Sequence, residues 1–121
     1  MAQRSYWIKA YNLTGQELTQ KSKELDHGIW SDNGQDTPPD VFKSAAKAEW
    51  GSESDGFATG TEGNVIFSLN GGGGQFEIYW DNPYVGSDQT WVTAPKGYTY
   101  VKDDSGGNNA TLKVTLMPDL G

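Results

Sequence analysis

The chain contains no cysteine, one histidine, and no apolar run approaching the length of a membrane-spanning helix. The first absence excludes disulfides and thiol chemistry, and leaves the redox compartment open. The second leaves His27, beside Asp26, as the only residue around which a histidine-centred triad could form, and no Gly-x-Ser-x-Gly elbow accompanies it. An enzyme is therefore not expected, and His27 reads as a turn residue in Asp26-His27-Gly28. The third absence argues against an integral membrane protein, and the opening MAQRSYWIKAYN lacks the apolar core of a signal peptide. The expectation is a soluble chain, residing in a bacterial cytoplasm or released to act at target-cell membranes.

Basic residues are also scarce: nine against sixteen acidic ones, a formal charge of −7, with no Lys/Arg cluster. Nucleic acid is an unfavourable partner, because phosphate neutralisation needs a clustered basic face. Anionic lipid is disfavoured on the same ground. What the chain has instead is glycine, Ser, Thr and Asn in quantity, and fifteen aromatics, five of them Trp, six Tyr and four Phe. In 121 residues this composition fits one all-β domain over the whole chain, 1–121, with many short strands and tight turns, a sandwich or barrel.

Period-two alternation places the strands. Val65, Phe67 and Leu69 face Phe76, Ile78 and Trp80 across Asn70 and the glycines Gly71 to Gly74, which predicts a hairpin whose turn residues supply positive backbone angles. Asp81-Asn82-Pro83 ends its second strand. Arg4 to Leu13 reads as a first strand with both faces partly covered, and Glu17 to Leu25 as an edge strand. Val41 to Trp50 carries alanines that favour helix, but its flanks favour strand, and strand is the reading adopted. Phe57 to Gly63 reads as a bulge or corner. Thr90 to Thr93 and Lys96 to Lys102 are short strands, and Ala110 to Leu116 alternates most clearly of all. Asp103 to Asn108 has calcium-loop oxygens but lacks the terminal glutamate of the EF-hand pattern, so a hairpin turn is preferred. No metal or other cofactor is expected.

The aromatics carry the functional signal. Trp30 and Trp91 adjoin loops rich in Asp, Asn, Gly and Tyr, and Tyr79, Tyr84, Tyr98 and Tyr100 add amphipathic rings. Such rings suit a hydrocarbon–water interface and suit stacking on sugars equally well. The residues alone thus point to a β-sandwich binding module for either a lipid headgroup or a carbohydrate. A purely structural role for the aromatics, with activity only through a partner, is the third reading.

Trp7, Thr14-Gly15, Gly28-x-Trp30, the element Gly56-Phe57-Ala58-Thr59-Gly60-Thr61-Glu62-Gly63, Asp81-Asn82-Pro83-Tyr84 and Gly86-Ser87 occur in the order seen in the aegerolysins. The chain most resembles the small component of bacterial binary insecticidal proteins. The resemblance covers nearly the whole chain and is weakest from Thr90 onward. It implies an antiparallel β-sandwich that binds membrane lipid, typically a sphingolipid or another zwitterionic lipid, and recruits a larger pore-forming, perforin-like or other binary-toxin partner. A homo-oligomer is allowed by the same reading. Carried over by position, the family's lipid contacts imply Trp7, Trp30 and Tyr84. The fungal pattern has tryptophan at Tyr84, cysteine at Asn82 and a lysine near Asp88. With the loop aromatics added, the expected lipid-binding set is Trp7, Trp30, Tyr84, Asp88, Trp91 and Tyr98, while Trp80, in phase with Phe76 and Ile78, is expected in the core.

Overall fold

A computed structural model describes residues 2–121. Ten strands form two five-stranded sheets packed face to face. They are β1 (Ser5–Asn12), β2 (Leu18–His27), β3 (Ile29–Trp30), β4 (Val41–Phe42), β5 (Ala46–Glu53), β6 (Thr61–Leu69), β7 (Gln75–Asn82), β8 (Gln89–Thr93), β9 (Tyr98–Asp104) and β10 (Asn109–Pro118). The first sheet runs β3-β5-β1-β10-β9 and the second β4-β2-β6-β7-β8. All pairings are antiparallel except that of β1 with β10. The architecture is the expected β-sandwich, antiparallel as expected but for the β1–β10 pair. Among the described residues no helix is long and apolar enough to cross a membrane.

Strict alternation along β1, β6 and β7 sends every second side chain inward. The core holds Ile8, Leu18, Ile78, Leu112 and Leu116 with a relay of rings, all fully buried except the part-buried Trp30. Trp30 meets Trp80 at 6.1 Å, Trp80 meets Trp50 at 6.3 Å, Trp50 meets Phe67 at 6.1 Å, and Phe67 meets Phe42 edge-on at 5.5 Å. Each such contact contributes about 0.5–1.5 kcal/mol beyond its area. Trp80 joins Trp30 to Trp50 in this relay, and its indole N–H donates to Ser52 Oγ at 2.9 Å. Its assignment to the core is sustained.

Three local expectations change. Val41 to Trp50 is strand rather than helix, but it is two strands in different sheets, divided at Ala45, whose φ is +61°. Only Gly72, Gly73 and Gly74 take positive φ in the hairpin turn; Asn70 and Gly71 do not. The strand expected to end at Trp80 continues through Asn82, because Asp81 and Asn82 still pair with Glu62 and Thr61. The edge reading of β2 holds for part of its length: β2 lies second in its sheet, but β4 pairs only with Leu18 and Thr19 and Asp40 accepts from the Gln20 N–H, so Lys21 to His27 have no strand on that side.

Two buried asparagines close the ends of the sandwich. At one end Asn12 Nδ2 donates to the carbonyls of Gln16, Phe42 and Lys43, at 2.8, 3.0 and 3.1 Å. At the other Asn82 Nδ2 donates to those of Ser5, Gly107 and Asn108, at 3.0, 3.0 and 2.9 Å. Each gathers strand-end and loop carbonyls onto one buried amide.

Candidate functional site

The end closed by Asn82 carries two adjacent loops, residues 54–60 and 83–88. They can lie side by side because residue 60 is glycine: a Cβ there would stand 2.6 Å from the Asn82 carbonyl oxygen and 2.9 Å from Pro83 Cα. Arg4 ties them together. Its backbone exchanges hydrogen bonds with Ser54, while its guanidinium donates to the carbonyls of Pro83 (3.3 Å), Tyr84 (2.7 Å) and Gln3 (2.8 Å). The same guanidinium lies 4.7 Å from the centre of the Tyr84 ring, within cation–π range. Arg4 forms no ion pair among the described residues.

From this braced base two apolar side chains project into water. Phe57 is 85% exposed and Val85 84% exposed. The turn that presents Phe57 is built deliberately, with Thr59 Oγ1 bonded to the Gly56 carbonyl and Ala58 N–H bonded to Gln3 Oε1. Ala58 holds φ at +56°, a left-handed conformation that costs a non-glycine residue about 1–2 kcal/mol. Ile29 and Tyr84, both partly exposed, border the same end. Ile29 shares a cleft with Phe57 and Gln3.

On the other side of Arg4 lies a second cleft, about 380 Å³, bordered by Asp88, Asp104 and the Gly106–Asn108 turn. Asp104 accepts from the Tyr6 hydroxyl at 2.9 and 3.0 Å, from Thr90 Oγ1 at 3.2 Å and from the Gly106 N–H at 3.0 Å. Asp88 is less well served: its Oδ2 is buried and has no hydrogen-bond partner. Burial, then the charge of Asp104, push the Asp88 carboxyl above the usual carboxylate range. Burial and the Asp104 carboxylate likewise push the Tyr6 hydroxyl well up, so it stays a donor.

The six residues expected to bind lipid do not converge. Tyr84 and Asp88 stand at this end, and Trp30 lies close by, with its indole partly buried against Trp80. Trp7 lies on the outer face of the first sheet, over Gly51, and its indole N–H donates to Glu49 at 2.8 Å. That hydrogen bond holds the Glu49 carboxyl below its ordinary range. Trp91 lies on the outer face of the second sheet, stacked on Tyr79 at 3.9 Å. Tyr98 is at the opposite end, edge-on to Phe76 at 5.7 Å and hydrogen-bonded by Gln16. Sequence reasoning missed Phe57, Val85 and Arg4 as members of the site. The signal for Phe57 was available: a large apolar residue set among Gly, Asp and Thr, with no alternating partner.

No family model matches the chain. It is 26% identical over 114 residues to an uncharacterised protein of Dictyostelium discoideum, an alignment that takes in 93% of this chain. The chain spans 10% of the length of that curated relative. Among solved structures it is similar to the lipid-binding protein Nakanori, with a TM-score of 0.80 and 15% identity over 96% of this chain and 72% of that one. It is also similar to IP-1A from Alcaligenes faecalis, with a TM-score of 0.75 and 21% identity over 98% and 93% of the two chains. At these identities the likeness establishes the fold.

Proposed function

We propose that the chain docks on membrane lipid through the end that carries Phe57 and Val85. The observation behind this reading is the near-complete exposure of both side chains, 85% and 84%, on two loops braced by one arginine. Exposed apolar side chains on a rigid base lose water contact when they enter the headgroup region, at about 25 cal/mol per Å². The partly exposed Tyr84 ring sits where amphipathic aromatics prefer to lie, between hydrocarbon and water. Arg4, with no carboxylate paired to it, meets headgroup oxygens. The formal charge of −7 turns the preference toward zwitterionic rather than anionic bilayers. The lipid-binding description of Nakanori supports this reading by analogy of fold.

On the finer level, we read the chain as an aegerolysin-like small component of a two-component, insecticidal pore-forming toxin. Its ten strands are all committed to the two sheets, so the membrane-crossing work falls to a larger partner. Sedimentation with vesicles of graded sphingolipid content tests the docking. Absence of binding to every sphingolipid-containing vesicle, at low and moderate salt, rules it out.

A further inference from the structure

The two outer faces of the sandwich differ in how their charges are met. On the first sheet one rung reads Glu49, Lys9, Lys113, Asp103, so each lysine has a carboxylate directly opposite. Glu49 also pairs with Lys47 at 3.3 Å. The outer face of the second sheet has no such balance. Glu62 and Asp81 stand directly opposite each other on β6 and β7, with His27 and Gln89 as their outer neighbours. On the next outward rung Glu24, Asn64, Tyr79 and Trp91 follow one another across four strands, and Glu77 stands on the rung beyond, between Ile66 and Thr93. Lys21 bonds Gln75 at the far end of the face, and Lys23, in register with Val65, belongs to the other side of its strand.

Like charges directly opposite in a sheet are destabilising. Glu62 is engaged by the Tyr79 hydroxyl, and its nearest basic neighbour is His27 at 3.7 Å. Burial, then the charge of Glu62, push the Asp81 carboxyl above its ordinary range. Beside this pair lies the Tyr79–Trp91 stack, its rings 14° from parallel. Tyr79 covers one face of the indole, yet Trp91 remains 47% exposed. A neutral sugar could use the ring but would leave the carboxylate pair unrelieved. A guanidinium relieves the pair, bonds carboxylates in a fork, and stacks on an indole.

We propose that the outer face of the second sheet is a docking surface for a partner protein that presents clustered arginine and lysine side chains, with one cation received at the Glu62–Asp81 pair and an arginine on the open face of Trp91. Glu62 and Asp81 share a cleft with Thr59, Gly60 and Tyr84 of the lipid-docking end, so the two surfaces adjoin, and the test is made without vesicles so that its outcome is independent of lipid docking.

The probe is a dye-labelled nona-arginine peptide, followed by anisotropy at about 0.15 M salt, where distant charges are screened. Glu62→Gln/Asp81→Asn is expected to weaken binding about tenfold, and Trp91→Ala comparably. Trp91→Phe retains a ring on Tyr79 and serves if the alanine variant unfolds. Asp40→Asn/Asp55→Asn removes the same charge from exposed positions elsewhere and is expected to change binding less than about twofold. Nona-lysine is expected to bind more weakly than nona-arginine, and amide shifts on peptide addition to centre on β6, β7 and β8. The double variant Glu62→Gln/Asp81→Asn is also expected to melt higher than the parent. Equal losses in the face and control variants, shifts centred elsewhere, or preferential binding of a neutral oligosaccharide at Trp91 would overturn the proposal.

Discussion

Replacing Phe57 by serine separates docking from folding. An aromatic side chain buries at least about 150 Å² when it is taken fully out of water. Phe57 keeps 85% of its surface exposed, so nearly all of that area remains to be buried by something outside the protein. At about 25 cal/mol per Å², complete immersion of the exposed part contributes about 3 kcal/mol. Seating it halfway, at headgroup depth, contributes about 1.5 kcal/mol, which is about tenfold in the partition constant. The same exposure means that the ring stabilises the fold very little, and exposed substitutions of this kind usually stay within about 0.5 kcal/mol. The turn persists in the variant because Thr59 Oγ1 and Ala58 N–H hold it through their own bonds. The assay is sedimentation with sphingolipid-containing vesicles, paired with a thermal melt of the free protein. A variant that melts with the parent and binds within twofold of it would refute docking at this end.

Val85→Ser is expected to act in the same direction with a smaller loss, since valine offers less area, and the two losses are expected to add in vesicle titrations because neither side chain is packed. Leu13→Ser, at the opposite end and 54% exposed, is expected to leave vesicle binding unchanged in the same assay; a loss there matching that of Phe57→Ser would place the docking surface at the wrong end. Asn82→Ala withdraws the donor from three carbonyls and is expected to lower stability by about 2–4 kcal/mol in urea melts. Asp88 has a folded pKa above its unfolded one, so the folded state binds its proton more readily, and native stability falls as pH rises through the interval between the two values. Asp88→Asn is therefore expected to raise the melting temperature at pH 7, and to give no advantage below the ordinary carboxylate range, when parent and variant are compared at each pH.

The scaffold was legible wherever a strand has one face in the core, because alternation is then written directly into the residues. Val65 to Leu69, Phe76 to Trp80 and Ala110 to Leu116 were found on that basis. Alternation is blind to which sheet a strand joins, and so Val41 to Trp50 read as one element although a left-handed Ala45 turns it from one sheet to the other. Exposure was harder still. Trp7 and Trp30 looked like surface aromatics, yet Trp7 lies flat over Gly51 and Trp30 leans on Trp80, contacts made by residues distant in sequence. Phe57 was overlooked for the converse reason: it is set apart by touching almost nothing, and a pattern of contacts has no mark for that.

The pairing of β1 with β10 has a bearing on when the docking end comes into being. The Ser5 hydroxyl bonds Asn109 across 104 positions of sequence, and closing so long a loop is entropically slow. Two of the three carbonyls held by Asn82 belong to Gly107 and Asn108, just ahead of β10. The middle of the first sheet thus awaits β10, and so does the seating of the Gly107–Asn108 turn on Asn82, whereas the bonds of Arg4 to Ser54, Pro83 and Tyr84 do not involve it. A nascent chain cut short before Asn109 carries the loops of Phe57 and Val85 but lacks the strand that closes the sheet beneath them.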